Sequence, residues 1–182
     1  MTTATEAVIV LSRALDQTGD VLAAVHADQL SKPTPCTDWD VAHLIGHVTG
    51  APGRFLEMLQ GEQPDWSTGP EPATEGWAAR FRAAADDLIH YWHQQGDAAD
   101  AGQVDWQIAE LAVHSWDLAT ATGQDVDRLD PEVAERGLAF MSASLTDDNR
   151  GGVFGAPAAV PDDASVYDRL AAWAGRTPAW SA

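Results

Sequence analysis

The chain has 182 residues, of which 45% are hydrophobic and eight are tryptophan, which supplies enough apolar material for one packed domain and excludes general disorder. Its formal net charge of −18 repels phosphate backbones and anionic lipids, so nucleic acid and membrane surfaces are not expected partners. One cysteine excludes an internal disulfide, and the lack of a long apolar run or signal-peptide pattern leads us to expect a cytoplasmic protein.

The first helix is predicted over residues 5–27, where apolar residues recur close to a 3.6-residue period. Pro33 and Pro35 then interrupt the pattern. The second helix is predicted to begin at Thr37, whose hydroxyl can cap the first turn, with Asp40 at the capping-box position.

The inward face of the second helix carries Trp39, His43 and His47 at helical spacing. Pro52 falls inside this helix, where its ring removes a hydrogen bond and clashes with the preceding turn. We therefore predict a kink just past His47.

The second half of the chain is also predicted to be helical. A proline-rich stretch over residues 61–72 indicates a surface loop, Gly123 is placed for a left-handed helix end, and Asp130 followed by proline indicates a helix start. The predicted helices cover residues 74–95, 103–122, 131 onward and 165–174. No alternation of strands and helices is present, so we predict an all-α fold.

The fourth predicted helix carries the strongest chemical signal. Glu110 and His114 are four residues apart and lie on one face, where a carboxylate oxygen and an imidazole nitrogen can reach one metal ion. His47 is the best third ligand, although His43 and His47 could each be a hydrogen-bonded core histidine. Such a pair on a helix is also often a surface or capping pair. Three protein ligands would leave a coordination position open.

Other residues near these ligands carry weaker signals. Asp117 could orient a ligand imidazole or cap the helix end. Trp39 and Trp116 could form pocket walls, although tryptophan at helical spacing more often belongs to the core. Cys36 precedes a predicted helix start, but no histidine is fixed beside it by sequence, so an ordinary buried thiol is preferred to a nucleophile.

Two helical motifs resemble those of DinB-like proteins, and more closely those of the branch related to the metal-binding domain of mycothiol-dependent maleylpyruvate isomerase. Residues 34–41 (TPCTDWDV), followed by His47, are similar to the second-helix motif, and residues 113–123 (VHSWDLATATG), with Glu110 one turn earlier, are similar to its other half. The segments 154–157, 168–170 and 175–178 extend the resemblance into the tail.

The resemblance implies a DinB-like up-down-down-up four-helix bundle with an extra C-terminal helix and tail. It implies a divalent metal bound by His47, Glu110 and His114, with zinc the usual ion and nickel an alternative. The implied division is a metal-binding bundle over residues 1–150 and a C-terminal extension over 151–182 packed on it. Position 43 is often acidic in relatives, so His43, with Asp117 and Trp39, is a candidate residue around the ligands.

The expected function is that of a metal-dependent enzyme that uses a low-molecular-weight thiol, with mycothiol as the co-substrate, in a transferase or isomerase reaction on a small electrophile. The metal would lower the pKa of the coordinated thiol. One alternative is a thiol-independent hydrolase, lyase or cyclase acting on a small metabolite. Another is a metal-binding stress protein without turnover. Pairing through helix faces favours a homodimer.

Overall fold

The computed structural model describes residues 3–64, 69–150 and 154–180, which form six α-helices and three one-turn 3₁₀ segments. The helices are α1 (Ala4–Ala23), α2 (Val41–Leu59), α3 (Trp77–Gln95), α4 (Ala101–Thr122), α5 (Pro131–Ser144) and α6 (Val166–Trp173). No β-strand occurs in these ranges. The predicted all-α class, a DinB-like bundle with an additional C-terminal helix, is confirmed.

The first four helices form the bundle. Both α1 and α2 pack against α3 and α4, so α1 and α2 occupy opposite corners. Next, α5 packs on α4, and α6 packs on α5 and α4. Tyr167, Leu170 and Ala171 of α6 join the same hydrophobic core as the bundle. The division of the chain at residue 150 stays a prediction. No helix in the described part of the chain is long and apolar enough to cross a membrane.

The predicted start of the second helix is wrong. This helix begins at Val41, and its N-cap is Asp40, whose carboxylate accepts a hydrogen bond from the backbone N–H of His43 at 2.9 Å. Thr37 lies outside the helix, because the hydroxyl of Thr34 donates to the carbonyl of Trp39 at 2.7 Å and holds the preceding residues in a turn. Aspartate is a strong N-cap in its own right, which the capping-box interpretation passed over.

Several other helix ends differ from prediction by two to four residues. The first helix ends at Ala23 and not at residue 27. The third begins at Trp77, after Gly76 in a left-handed conformation with φ 63°. The fourth begins earlier than predicted, since Asp100 caps it by accepting from the N–H groups of residues 102 and 103. The helix start at Asp130 and the left-handed end at Gly123 are as predicted.

Helix α2 makes a close approach to the end of the predicted loop over residues 61–72 and to Ala73. The backbone N–H of Ala73 donates to the carbonyl of Ala42 at 2.9 Å. A β-carbon built at Gly46 would lie 1.9 Å from the carbonyl oxygen of Glu71, so only glycine fits there. The helix continues through Pro52 as one element, and the kink near that proline stays a prediction.

Candidate metal centre

The structure brings His47 on α2 together with Glu110 and His114 on α4. The Nε2 atom of His47 lies 2.6 Å from Oε1 of Glu110, and Nε2 of His114 lies 3.3 Å from the same oxygen. One ligand atom from each residue lies within 4.8 Å of the other two. The four-residue spacing on α4 and the adjacency of α2 and α4 produce this convergence. Metal binding itself stays a prediction.

A buried chain of polar contacts holds the His114 ring. Its Nδ1 lies 3.0 Å from Oδ2 of Asp117, whose side chain is fully buried. Arg176, from the C-terminal extension, donates to the same carboxylate through Nη2 at 3.1 Å and through Nε at 3.3 Å. Because Nδ1 is engaged by a carboxylate, Nε2 is the nitrogen turned toward Glu110, the arrangement common for metal-binding histidine.

The ionisation of the three groups follows from their burial and contacts. Burial alone would raise the pKa of Glu110, but the His114 cation and hydrogen bonds from both imidazoles hold that pKa well below its usual value. Burial lowers the pKa of His47, and the hydrogen bond that its Nε2 donates to Glu110 opposes this shift. Burial also acts to lower the pKa of His114, yet Glu110 and Asp117 raise it to about 9. Near neutral pH, Glu110 is therefore an anion and His47 is neutral, which are the forms that bind metals, whereas His114 is protonated and would have to release its Nε2 proton for a metal to bind.

The donor set fits a divalent ion. Two imidazole nitrogens and one carboxylate oxygen are ligands that zinc accepts in catalytic sites, and nickel also accepts imidazole. Three donors leave at least one coordination position for another molecule. The triad lines a cavity of about 1020 Å³, so an incoming molecule has a path to that position.

Trp39 belongs to this cavity, whereas Trp116 belongs to the core. The Trp39 ring lies 4.6 Å from the His47 ring and 6.3 Å from the His114 ring, measured between centroids, and it lines the cavity beside them. Trp116 is 1% exposed. Trp39 therefore covers one side of the ligand cluster.

His43 is not part of the cluster, although it lies one turn before His47. Its Nδ1 lies 2.7 Å from Oδ1 of Asp40 at the start of α2, and the side chain is 42% exposed. It is absent from the described residues that line the cavity. His43 thus belongs to the capped start of α2.

Sequence reasoning assigned no role to two arginines near the site. Arg176 is 59 residues from Asp117 in sequence, and neither spacing nor periodicity links the two. Arg54 lies two turns after His47 on α2, lines the cavity and donates to the carbonyl of His47 at 2.7 Å. The seven-residue spacing placed Arg54 on the histidine's face, and this was the one available signal.

Cys36 lies closer to the site than the sequence indicated. Its Sγ and one ligand atom each from His114 and Asp117 lie within 4.8 Å of one another, and the side chain lines the cavity. Burial raises the pKa of the thiol to about 12, despite the opposing charge of Arg176. A thiol held in its protonated form is a poor nucleophile, which agrees with the preferred interpretation of Cys36.

Comparison with known proteins agrees with this architecture. Residues 11–119 match the family model of the mycothiol maleylpyruvate isomerase N-terminal domain. Two uncharacterized proteins of Mycobacterium tuberculosis, from strains CDC 1551 / Oshkosh and ATCC 25618 / H37Rv, are each 36% identical over 91% of this chain and 94% of their own length. No solved structure matches the chain. The chain belongs to the family defined by the mycothiol maleylpyruvate isomerase N-terminal domain.

Proposed function

We propose that the protein is a metal-dependent enzyme that joins a low-molecular-weight thiol of the mycothiol type to a small electrophile. His47, Glu110 and His114 would hold one divalent ion, with zinc favoured by the donor set. The observation that carries the proposal is the convergence of these three donors on the wall of a cavity of about 1020 Å³. The name of the matching family supports the choice of thiol.

The chemistry needs a thiolate at neutral pH. A bound divalent ion supplies a Lewis acid that lowers the pKa of a coordinated thiol. The thiol proton is released to solvent, the sulfur electron pair forms a bond to the electrophilic carbon, and the electron pair displaced from that carbon takes up a proton. In an isomerisation, rotation about the affected bond would be followed by loss of the proton that was taken up and departure of the same thiolate, which restores the double bond.

The residues around the triad would position the reactants. Asp117 keeps His114 in one orientation, and Trp39 covers one side of the histidine rings. Asp38, Asp100 and Gln103 line the cavity and offer polar groups to the body of the thiol. No side-chain nucleophile is required, which is consistent with the raised pKa of Cys36.

The first test measures the metal and the thiol consumption together. We expect stoichiometric divalent metal in protein purified without chelators, loss of that metal in His47→Ala, and retention in His90→Ala. The latter is a matched control, because His90 is exposed on α3. Disappearance of mycothiol should require both the metal and an electrophile from a panel of epoxides, quinones and maleyl compounds.

Two outcomes would contradict the proposal. If the purified protein contained no stoichiometric metal, or if His47→Ala retained all of its metal, the proposed metal centre would be wrong. If metal-loaded protein consumed no thiol with any electrophile of the panel, the proposed thiol chemistry would be wrong. Turnover of the same compounds without thiol would instead indicate that the metal activates water.

A further inference from the structure

The cavity has one wall that the metal centre does not use. Six apolar side chains form it, and we call them the apolar wall: Trp106, Val113, Phe140, Met141, Leu145 and Phe154. They come from α4, from the end of α5 and from the C-terminal extension. The ligands and the apolar wall therefore line one continuous space.

The register of α4 places two residues of this wall, Trp106 and Val113, close to the ligands. Trp106 lies one turn before Glu110, and Val113 immediately precedes His114. Residues at these spacings share or adjoin one helix face, so the polar ligands lie at the edge of an apolar surface. A molecule that reaches the open coordination position would have this surface within reach.

The wall is only partly covered by the protein itself. Phe140, Leu145 and Phe154 pack against the hydrophobic core, yet each keeps part of its surface exposed to the cavity or solvent. Met141 also lines the cavity but is buried. Burial of apolar surface is favourable by roughly 25 cal/mol per Å², so an apolar ligand that covers this wall would gain affinity.

The two arginines that line the cavity are engaged by other groups. Arg176 directs Nε and Nη2 to Asp117 and Nη1 to the carbonyl of Ala174. Arg54 donates to the carbonyl of His47. A charged substrate body placed against the apolar wall would lose hydration without gaining an ion pair there, which is costly.

We infer that the electrophile has an apolar body, an aromatic ring or an alkyl chain, which packs against the apolar wall while its reactive carbon faces the metal centre. This inference rests on the proposed function and adds the substrate class. A cavity of about 1020 Å³ is at the upper end of small-molecule pockets, so the thiol and an apolar second substrate fit in it together.

The test uses n-alkanethiols from ethanethiol to octanethiol as probes. Their sulfur takes the open position in cobalt-substituted protein, and the sulfur-to-cobalt charge-transfer band reports binding without any turnover. On the apolar wall, each added methylene should tighten binding about fourfold until the cavity is filled.

Three variants separate the wall from the metal centre. Phe140→Asn should reduce the gain in thiol affinity to less than about twofold per methylene, and the cobalt content should be unchanged. Phe140→Leu should keep most of the gain, because it preserves an apolar surface. Ala139→Asn is the matched control, since residue 139 is exposed on the same helix and should leave the series unchanged.

Each outcome has a distinct meaning. A charge-transfer band whose affinity does not depend on chain length would overturn the inference and leave the proposed function standing. If affinity rose steeply with alkyl length and Phe140→Asn left that rise unchanged, the alkyl group would be packing on another surface. This result would also overturn the inference. No band with any thiol would overturn the proposed function, and the inference with it.

Discussion

Asp117 is a charged side chain in a fully buried position, and its contacts explain how this is tolerated. Its carboxylate accepts hydrogen bonds from His114 on one side and from Arg176 on the other. Burial alone would raise the pKa of Asp117, but these two partners lower it, so the carboxylate stays ionised. A buried charge with such partners orients them, and here one of the partners is a candidate metal ligand.

The substitution Asp117→Asn should therefore weaken metal binding about 10- to 100-fold, because the amide cannot hold the Nδ1 proton of His114 as the carboxylate does. Competition with a chromophoric chelator would measure the dissociation constant. Asp127→Asn is the control, since Asp127 is exposed on a 3₁₀ segment and should leave the constant unchanged. If Asp117→Asn and the native protein bound the metal with equal affinity, Asp117 would have only a structural role in the fold.

At this scale the sequence predicts the ligands within α4 better than those between elements. The spacing of Glu110 and His114 is local, so periodicity alone places them on one face. His43 and His47 also share a helix face, and only the family resemblance indicated that His47 is the ligand. In the structure, His43 contacts Asp40 at the helix start instead. The contact of Arg176 with Asp117 joins distant segments, and no local rule predicts it.

At the scale of elements, two of the three glycines of α2, Gly46 and Gly53, have opposite surroundings. Gly46 faces the carbonyl of Glu71 so closely that a β-carbon would overlap it, whereas nothing lies within 4 Å of a β-carbon at Gly53. Gly46→Ala should lower the free energy of unfolding by about 1–3 kcal/mol, since the backbone near Glu71 must move. Gly53→Ala should raise it by about 0.5–1 kcal/mol through helix propensity.

Urea denaturation of the two alanine variants provides this comparison, with each serving as the control of the other. If both variants showed a similar small increase in the free energy of unfolding, the segment around Glu71 would be able to move without loss of stability. The sequence predicts that α2 exists but not this contact, because Glu71 lies in the proline-rich loop over residues 61–72, where no periodicity indicates a partner. The same limit applies to the start of α2, where Thr37 and Asp40 are both acceptable caps by composition and the turn held by Thr34 decides between them.

At the scale of the whole molecule, the C-terminal extension and the candidate metal centre share Asp117. Arg176 reaches this carboxylate from the residues that follow α6, and Arg150 supports the same region by donating to the carbonyls of Gly155 and Trp173 at 3.0 and 2.7 Å. If Arg176 strengthens metal binding through Asp117, then by thermodynamic reciprocity the metal strengthens the docking of the extension by the same factor.

Bound metal should therefore slow tryptic cleavage at Arg169, which is exposed on α6 and becomes accessible to the protease when the helix opens. We expect roughly tenfold protection in the native protein and little in Arg176→Met, with cleavage followed by mass spectrometry. The ratio of rates with and without metal is compared within each variant, so a general loss of stability in Arg176→Met cancels. Arg128→Met, at an exposed position, should keep the native ratio. Equal protection in Arg176→Met would mean that the extension docks independently of the metal centre.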